Sequence, residues 1–416
     1  IDVAVIGRTG GVTELAAVGL GAEIFALVFL SFNFLQFGVS GLSAQALGAG
    51  APERLADTLG RGLIFALTIA LALTALQAPL KTLALGLFEA SAAAEGLASD
   101  YFDVRIWAAP AALGNFAFLG WFAGQAMTGR LLRHQLVISG VNIALSILFV
   151  VGFGWGVEGV ALGTAIGAWT GLAYAIWMAR GRLRDVAPGW RPRRAALLEP
   201  AALRRMAALN RDLLIRTLLL LLCLAWMTRL GSLLGDATLA ANVVLFQFFV
   251  FSAAALDGFA MAGEALVGQA LGARSAAALD RAAWRASALA GACALALAAA
   301  FALLGPSVID FLTAKAPDAR AIAQAHAHWA LLTPLIAAAA FQMDGIFIGA
   351  TASVEMRNAM IAASLIYLLA SFPLHAQFGN HGVWAAVWIW LGLRAVFLLA
   401  LYPRLRARAA AGPGAG

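Results

Sequence analysis

The sequence predicts an all-α polytopic membrane protein: twelve transmembrane helices, the first truncated, in two pseudo-symmetric six-helix lobes. Three observations predict it. Of 416 residues, 62% are hydrophobic and 12% charged, about half the roughly 25% charged residues of a soluble domain. The apolar residues fall in runs near the length of about 20 residues that crosses about 30 Å of hydrocarbon. The arginines gather in every second connection between those runs.

In chain order, spans are expected at 14–38, 60–80, 101–127, 131–152 and 156–179, then at 207–233, 238–270, 282–312, 321–349, 358–374 and 382–402. The longer ones tilt or include part of a loop. The opening stretch, Ile1 to Gly7, reads as the tail of a further span and brings the count to twelve. No basic region precedes an apolar core there, which argues against a cleavable signal peptide. Uninterrupted runs such as Ala286 to Leu304 argue against a β-barrel, whose strands alternate apolar and polar residues. The expected organisation is a first lobe over 1–180, a basic cytoplasmic linker over 181–206, a second lobe over 207–403 and a cytoplasmic tail over 404–416.

Charge sets the orientation. From Arg180 to Arg211 there are nine arginines against Asp185 and Glu199. Arg54, Arg61, Arg130, Arg133, Arg274, Arg281, Arg285, Arg357, Arg404, Arg406 and Arg408 fall on the same side in a twelve-span reading. The opposite loops hold Arg8, Lys81, Lys315 and Arg320, with Glu89, Glu95, Asp100 and Asp103 near one of them. Basic loops stay in the cytoplasm, so both termini are expected there, in a bacterial inner membrane. The formal charge of +7 therefore reports topology; arginines dispersed through membrane loops make no nucleic-acid footprint. Cys223 and Cys293 lie inside spans and read as small packing residues, with no metal-ligand spacing. His326, His328, His375 and His381 lie near external span ends, where polar rim roles are expected.

An internal repeat organises the chain. Gln45-Ala46-Leu47-Gly48-Ala49 returns as Gln269-Ala270-Leu271-Gly272-Ala273, an offset of about 224 residues. The same offset pairs Leu15-Ala16-Ala17 with Leu239-Ala240-Ala241 and Phe25 with Phe249. Six spans per half make the repeats parallel, related by an axis along the membrane normal. Gly48 and Gly272 read as flexible helix stops.

An ionisable group at membrane depth costs several kcal/mol unless it is paired or lines a wet cavity. Asp2, Glu23, Glu158, Arg216, Arg229, Asp257, Glu264, Asp344 and Arg394 are such groups. Glu158 reads as a helix-end residue, and Arg216 as a partner for Asp212 or a snorkelling side chain. Arg394 reads as a member of a packing salt bridge. Asp257 and Glu264, seven residues apart, share a helix face about 10.5 Å apart along the axis. Asp344, between Gln342 and Gly345, is a third candidate for coupling or substrate attraction.

Several segments together resemble the multidrug and toxic compound extrusion (MATE) family and its DinF-like subgroup. They are Ile1 to Gly7, Phe34 to Ala49, Leu256-Asp257-Gly258-Phe259-Ala260, Gln342 to Thr351 and Met356-Arg357-Asn358-Ala359-Met360. The resemblance implies two six-helix lobes, no cofactor, no enzymatic activity, and export of lipophilic or cationic small molecules driven by inward H⁺ or Na⁺ flow. It also implies a first-lobe site. Asp2 matches the family's first-helix aspartate, Asn142 a fifth-helix asparagine and Thr164 a sixth-helix threonine. The family's second aspartate is Ser146 here, which supplies no charge. Na⁺ wants several oxygen ligands held together, so this departure favours H⁺, with Na⁺ the other possibility. Other expected partners are membrane lipids, with the chain acting as a monomer.

The competing reading is a flippase for lipid-linked saccharide precursors, which calls for a strongly cationic cleft; most arginines here lie in cytoplasmic loops. No Ser/His or His/Glu metal constellation lies at membrane depth, against an intramembrane enzyme. The charge pattern makes a direct prediction. Reporter fusions within 185–200 and after Arg408 read out on the cytoplasmic side, and a periplasmic signal from either overturns the orientation.

Overall fold

The structure is a computed structural model describing residues 5–7, 11–86 and 91–411. Among these, eleven helical segments are long and apolar enough to cross a membrane. The chain divides into two compact units, one formed by Ile1–Ser43 with Ala51–Arg205, the other by Ala44–Gly50 with Met206–Gly416.

In the first unit, α1 (Val12–Ser31) is followed after Phe32 and Asn33 by α2 (Phe34–Gly48), whose residues from Ala44 on belong to the second unit. Next come α3 (Pro52–Ala75), α4 (Gln77–Gly86) and α5 (Ala92–Arg105), then a 3₁₀ turn at Ile106–Ala108 leading into α6 (Ala109–Gly124). A π-helical turn at Leu148–Gly152 closes α7 (Thr128–Ile147) before α8 (Gly156–Val186), and α9 (Arg194–Leu197) is a single turn. The second unit is built from α10 (Pro200–Leu233), α11 (Asp236–Gly272), α12 (Ala276–Leu312), α13 (Pro317–Gly349), α14 (Ser353–Phe378) and α15 (Asn380–Ala410).

Local chemistry starts several of these helices. Pro52 and Pro317 open α3 and α13, where a missing N–H costs nothing. Ser91 and Ser275 cap α5 and α12 by accepting from the Ala94 and Ala278 amides at 3.3 and 3.2 Å. Outward faces carry large apolar side chains, with Leu303 and Phe311 both 81% exposed. Such side chains suit a lipid solvent. The buried stripe of α12 is instead mostly methyl groups, from Ala283, Ala286, Ala290, Ala294 and Ala298.

Three expected spans are broken or displaced. The 14–38 span is split at Phe32 and Asn33, the 60–80 span ends at Ala75, and the 101–127 span begins earlier and passes through the 3₁₀ turn. Hydropathy averages over such breaks, because the residues at them are themselves apolar. The basic linker is packed within the first unit. α8 continues to Val186, Trp190 donates to Asp57 at 3.1 Å, and Arg61 reaches the Ala196 carbonyl at 2.7 Å. The linker is thereby docked on α3.

Glycines bring backbones together at repeat-related places. A Cβ on Gly120 in α6 would overlap the Gln36 carbonyl of α2. A Cβ on Gly345 in α13 would overlap the Ala260 carbonyl of α11, and one on Gly349 the Glu264 carbonyl. Gln36 and Ala260 are separated by the repeat offset, as are Gly120 and Gly345 to within one residue. Gly48 and Gly272 have the same use. Each faces the other segment's glutamine carbonyl, Gln269 and Gln45 respectively, and the left-handed backbone falls later, at Gly50 and Arg274. Close approach, rather than flexible helix stopping, is what these two glycines supply. Gln45 adds hydrogen bonds to the Gly349 carbonyl and the Thr351 hydroxyl at 3.0 and 3.1 Å.

Gly345→Ala is therefore expected to destabilise the protein by about 1–3 kcal/mol, the range for forced overpacking. Gly258→Ala, with nothing within 4 Å of the new methyl, should not destabilise it. Thermal unfolding of both variants in detergent checks the difference.

Candidate functional site

Three charged side chains meet inside the second unit. Asp344 on α13 sits between Arg216 of α10 and Arg394 of α15, both directed at its Oδ2 atom, with Arg216 at 2.5 Å. Side-chain exposure is 10% for Arg216, 7% for Asp344 and 2% for Arg394. The Arg394 guanidinium also lies 5.1 Å from the Trp390 ring centroid, a cation–π contact. Asp344 thus neutralises one of two buried cations. Beside it, Gln342 is 2% exposed, with both its amide nitrogen and its oxygen buried without a partner.

The expected pairing of Arg216 with Asp212 is not made. Asp212, 1% exposed, is taken by Arg357 at 2.8 Å, by Arg211 at 3.0 Å and by the Ser353 hydroxyl at 3.1 Å. One turn separates Asp212 from Arg216 on α10, but helix packing brings different partners to each. Arg394 is a salt-bridge member, with Asp344 as its partner.

Asp257 and Glu264 part company. Glu264 is 3% exposed, whereas Asp257 on the same helix is exposed. Asp257 lies one turn before Ala260, whose carbonyl meets Gly345, the residue that follows Asp344. An accessible carboxylate at membrane depth needs a wet surrounding. The structure therefore groups Asp257 with Asp344 and sets Glu264 apart, at the α11–α13 backbone contact.

In the first unit, Asn142, Ser146 and Thr164 come together. Ser146 donates to Asn142 Oδ1 at 3.1 Å, Asn142 Nδ2 donates to the Thr164 hydroxyl at 3.0 Å, and Thr164 donates to the Val160 carbonyl at 3.0 Å. Gly163 and Gly167 allow the approach: a Cβ on Gly163 would meet Ser146 Oγ at 2.7 Å, and one on Gly167 the Asn142 Cβ at 3.3 Å. Asp2 lies outside the described residues. Glu23 is exposed. Elsewhere in this unit, Glu14, Asp100 and Glu158 line a cavity of about 520 Å³ together with Trp155.

Sequence reasoning missed two buried groups. His134, 0% exposed, bonds Asn115 Oδ1 at 3.1 Å, while Asn115 donates to the Ala168 carbonyl at 2.9 Å. Its position beside Arg133 reads as a loop end, and only the packing buries it. Gln342 is the other: a glutamine before Asp344 gives no sign that its amide has no partner. Among the described residues, no group of three or more His, Cys, Asp or Glu side chains could hold a metal ion.

The MatE family profile matches residues 1–148 and 213–375. DNA damage-inducible protein F of Escherichia coli (strain K12) is 35% identical over 412 residues, covering 97% of this chain and 87% of that protein. A protein described as probable multidrug resistance protein NorM, from Bradyrhizobium diazoefficiens, is 30% identical over 412 residues, covering 94% of this chain and 84% of its own length. A crystal structure of MATE in the bent conformation superposes with a TM-score of 0.85 at 20% identity, over 98% of this chain and 90% of that one. That likeness establishes the fold.

The buried charges predict an order of stability. Arg394→Gln leaves Asp344 paired with Arg216 in a neutral couple. Asp344→Asn leaves two buried guanidiniums without a counter-ion, a loss of about 3–5 kcal/mol by the behaviour of broken buried pairs. Thermal unfolding in detergent should rank Asp344→Asn below Arg394→Gln; the reverse order refutes this account of the charges.

Proposed function

This chain belongs to the MatE family, whose members are transporters rather than enzymes and need no cofactor, and from that premise we propose that it is a secondary active antiporter exporting lipophilic or cationic small molecules in exchange for H⁺. The single observation that carries the coupling assignment is the accessible Asp257 carboxylate on α11, one turn from the backbone contact of Ala260 with Gly345, next to the buried Asp344. Either a proton or a cationic substrate neutralises such a carboxylate. Two ligands that compete for one carboxylate disfavour each other's binding, the linkage that antiport requires. Asp257 takes a proton from outside, the protein opens inward by alternating access, and substrate arrives as the proton leaves.

In the first lobe, Ser146, Asn142 and Thr164 form a hydrogen-bonded chain at the positions the family resemblance assigns to coupling, with Asp2 as the proposed carboxylate, and Ser146 supplies no second carboxylate that would help bind Na⁺. Glu264 and Asp344 shape the second-lobe site without carrying the proton: Asp344 is committed to two arginines. The working lobes are 1–180 and 207–403, joined by the linker 181–206 and followed by the tail 404–416. The protein acts as a monomer in the bacterial inner membrane, with both termini in the cytoplasm.

Transport in proteoliposomes, with pH and Na⁺ gradients imposed separately, tests the reading. The pH gradient alone should drive export, and Asp257→Asn should reduce it about tenfold or more, within the usual range of coupling. Full proton-driven export by the amide variant removes Asp257 from the mechanism. Export driven by Na⁺ alone overturns the choice of ion.

A further inference from the structure

Three histidines of the second unit form one cluster. His326 on α13 and His381 on α15 have ring centroids 4.1 Å apart, and the His328 ring stacks on His381 at 5.7 Å. Trp329 Nε1 donates to His381 Nδ1 at 2.9 Å, and His326 Nδ1 meets the Ile322 carbonyl at 2.8 Å. These two bonds fix where the ring protons are, because an indole nitrogen only donates and a carbonyl only accepts. His381 Nδ1 is therefore a lone pair, with the ring proton on Nε2. His326 Nδ1 carries a proton, which leaves its Nε2 as the uncommitted basic atom.

This arrangement suits a proton rather than a metal ion. His381 spends its one lone pair on Trp329, so it cannot ligate a metal together with His326 without giving up that bond. A proton needs a single lone pair, and His326 Nε2 supplies it without disturbing the Ile322 bond. The resulting imidazolium is a charged donor, and charge-assisted hydrogen bonds are roughly twice as strong as neutral ones. We propose that His326 and His381 form a proton-binding site separate from the coupling carboxylate, in which protonated His326 takes the His381 Nδ1 lone pair from Trp329.

The exchange has a mechanical result. Asn380, at the start of α15, is held on α11 by two bonds with Asn242, at 2.7 and 3.0 Å. Protonation leaves that hold in place and moves the grip of His381 on α13 from Trp329 to His326. Three residues are about 4.5 Å along a helix, near the one-turn step by which packed helices change register. The other charged or titratable groups at these ends of the helices packed on α13 and α15 are Asp236 on α11, His375 on α14, and Asp310 of α12 paired with Arg320 of α13 at 3.7 Å. Among the described residues, none of them is hydrogen-bonded or ion-paired to the three imidazoles. In the orientation proposed above these ends face outward, so the site responds to external acid.

Proton–nitrogen correlation spectra of the full chain in nanodiscs, with the tryptophan indoles labelled, test this. Trp329→Phe identifies the Trp329 signal. Its indole proton should move upfield between about pH 8 and about pH 5.5, across the ordinary histidine range near 6.5, as the bond to His381 is lost. His326→Gln and His326→Asn should each abolish that movement, Asp257→Asn should leave it intact, and His381→Phe should hold the signal at its acid position at every pH. The other indoles among the 12 tryptophans report in the same spectrum whether a variant is folded. A Trp329 signal that stays still over this range overturns the proposal, as does an unchanged titration in the His326 variants. The spectrum does not depend on transport, so that failure would leave the export reading standing.

Discussion

The α11–α13 contact positions the chemistry of the second unit. With Gly345 against the Ala260 carbonyl and Gly349 against that of Glu264, these helices touch backbone to backbone, and their separation is set by atoms that cannot change rotamer. Asp344 adjoins one contact point, and Asp257 lies one turn before Ala260 on the partner helix. Fixing the backbones therefore fixes how close the two carboxylates stand. A side-chain interface would leave that spacing to adjust, and with it the field each acid feels. The equivalent Gly120–Gln36 contact of the first unit indicates that the constraint belongs to the duplicated architecture rather than to one half's chemistry.

Charge is handled differently at the two levels of α10. Asp212 is surrounded by two arginines and a serine hydroxyl, with both of its oxygens used. One turn on, Arg216 and Arg394 share a single oxygen of Asp344 and keep part of their donor capacity unspent. Full satisfaction makes a rigid anchor. Partial satisfaction keeps a group reactive toward the next charged visitor, at a cost in stability that the surrounding core, with Trp384, Trp390 and Tyr367 almost wholly buried, has to absorb.

Much of this fold was legible in the sequence because membrane segments declare themselves through composition and length. The repeat was legible too, through one recurrent pentapeptide, and glycine contacts within each unit fall at its offset. The Asn142, Ser146 and Thr164 cluster was half legible: Asn142 and Ser146 share a face by spacing alone, but Thr164 on the next span joins them only because Gly163 and Gly167 let α8 approach. The partner of Arg216 was not legible, since Asp344 lies 128 residues away and the nearer Asp212 looked adequate. Asp257 and Glu264 marked the limit of helical periodicity. It correctly assigns them one face, yet that face runs from an open surrounding into a packed one along its length. Breaks in the helices escaped notice because apolar residues form them.

The alanine stripe along α12 has a mechanical consequence. Bulky interfaces interlock, and displacing one helix past another requires side chains to climb over each other. Ala283, Ala286, Ala290, Ala294 and Ala298 offer only methyl groups, with no rotamers to rearrange and shallow ridges to cross. A helix seated on such a track resists separation through its close contact but offers little friction to axial sliding, the small shear displacement by which packed helices accommodate a changing neighbour.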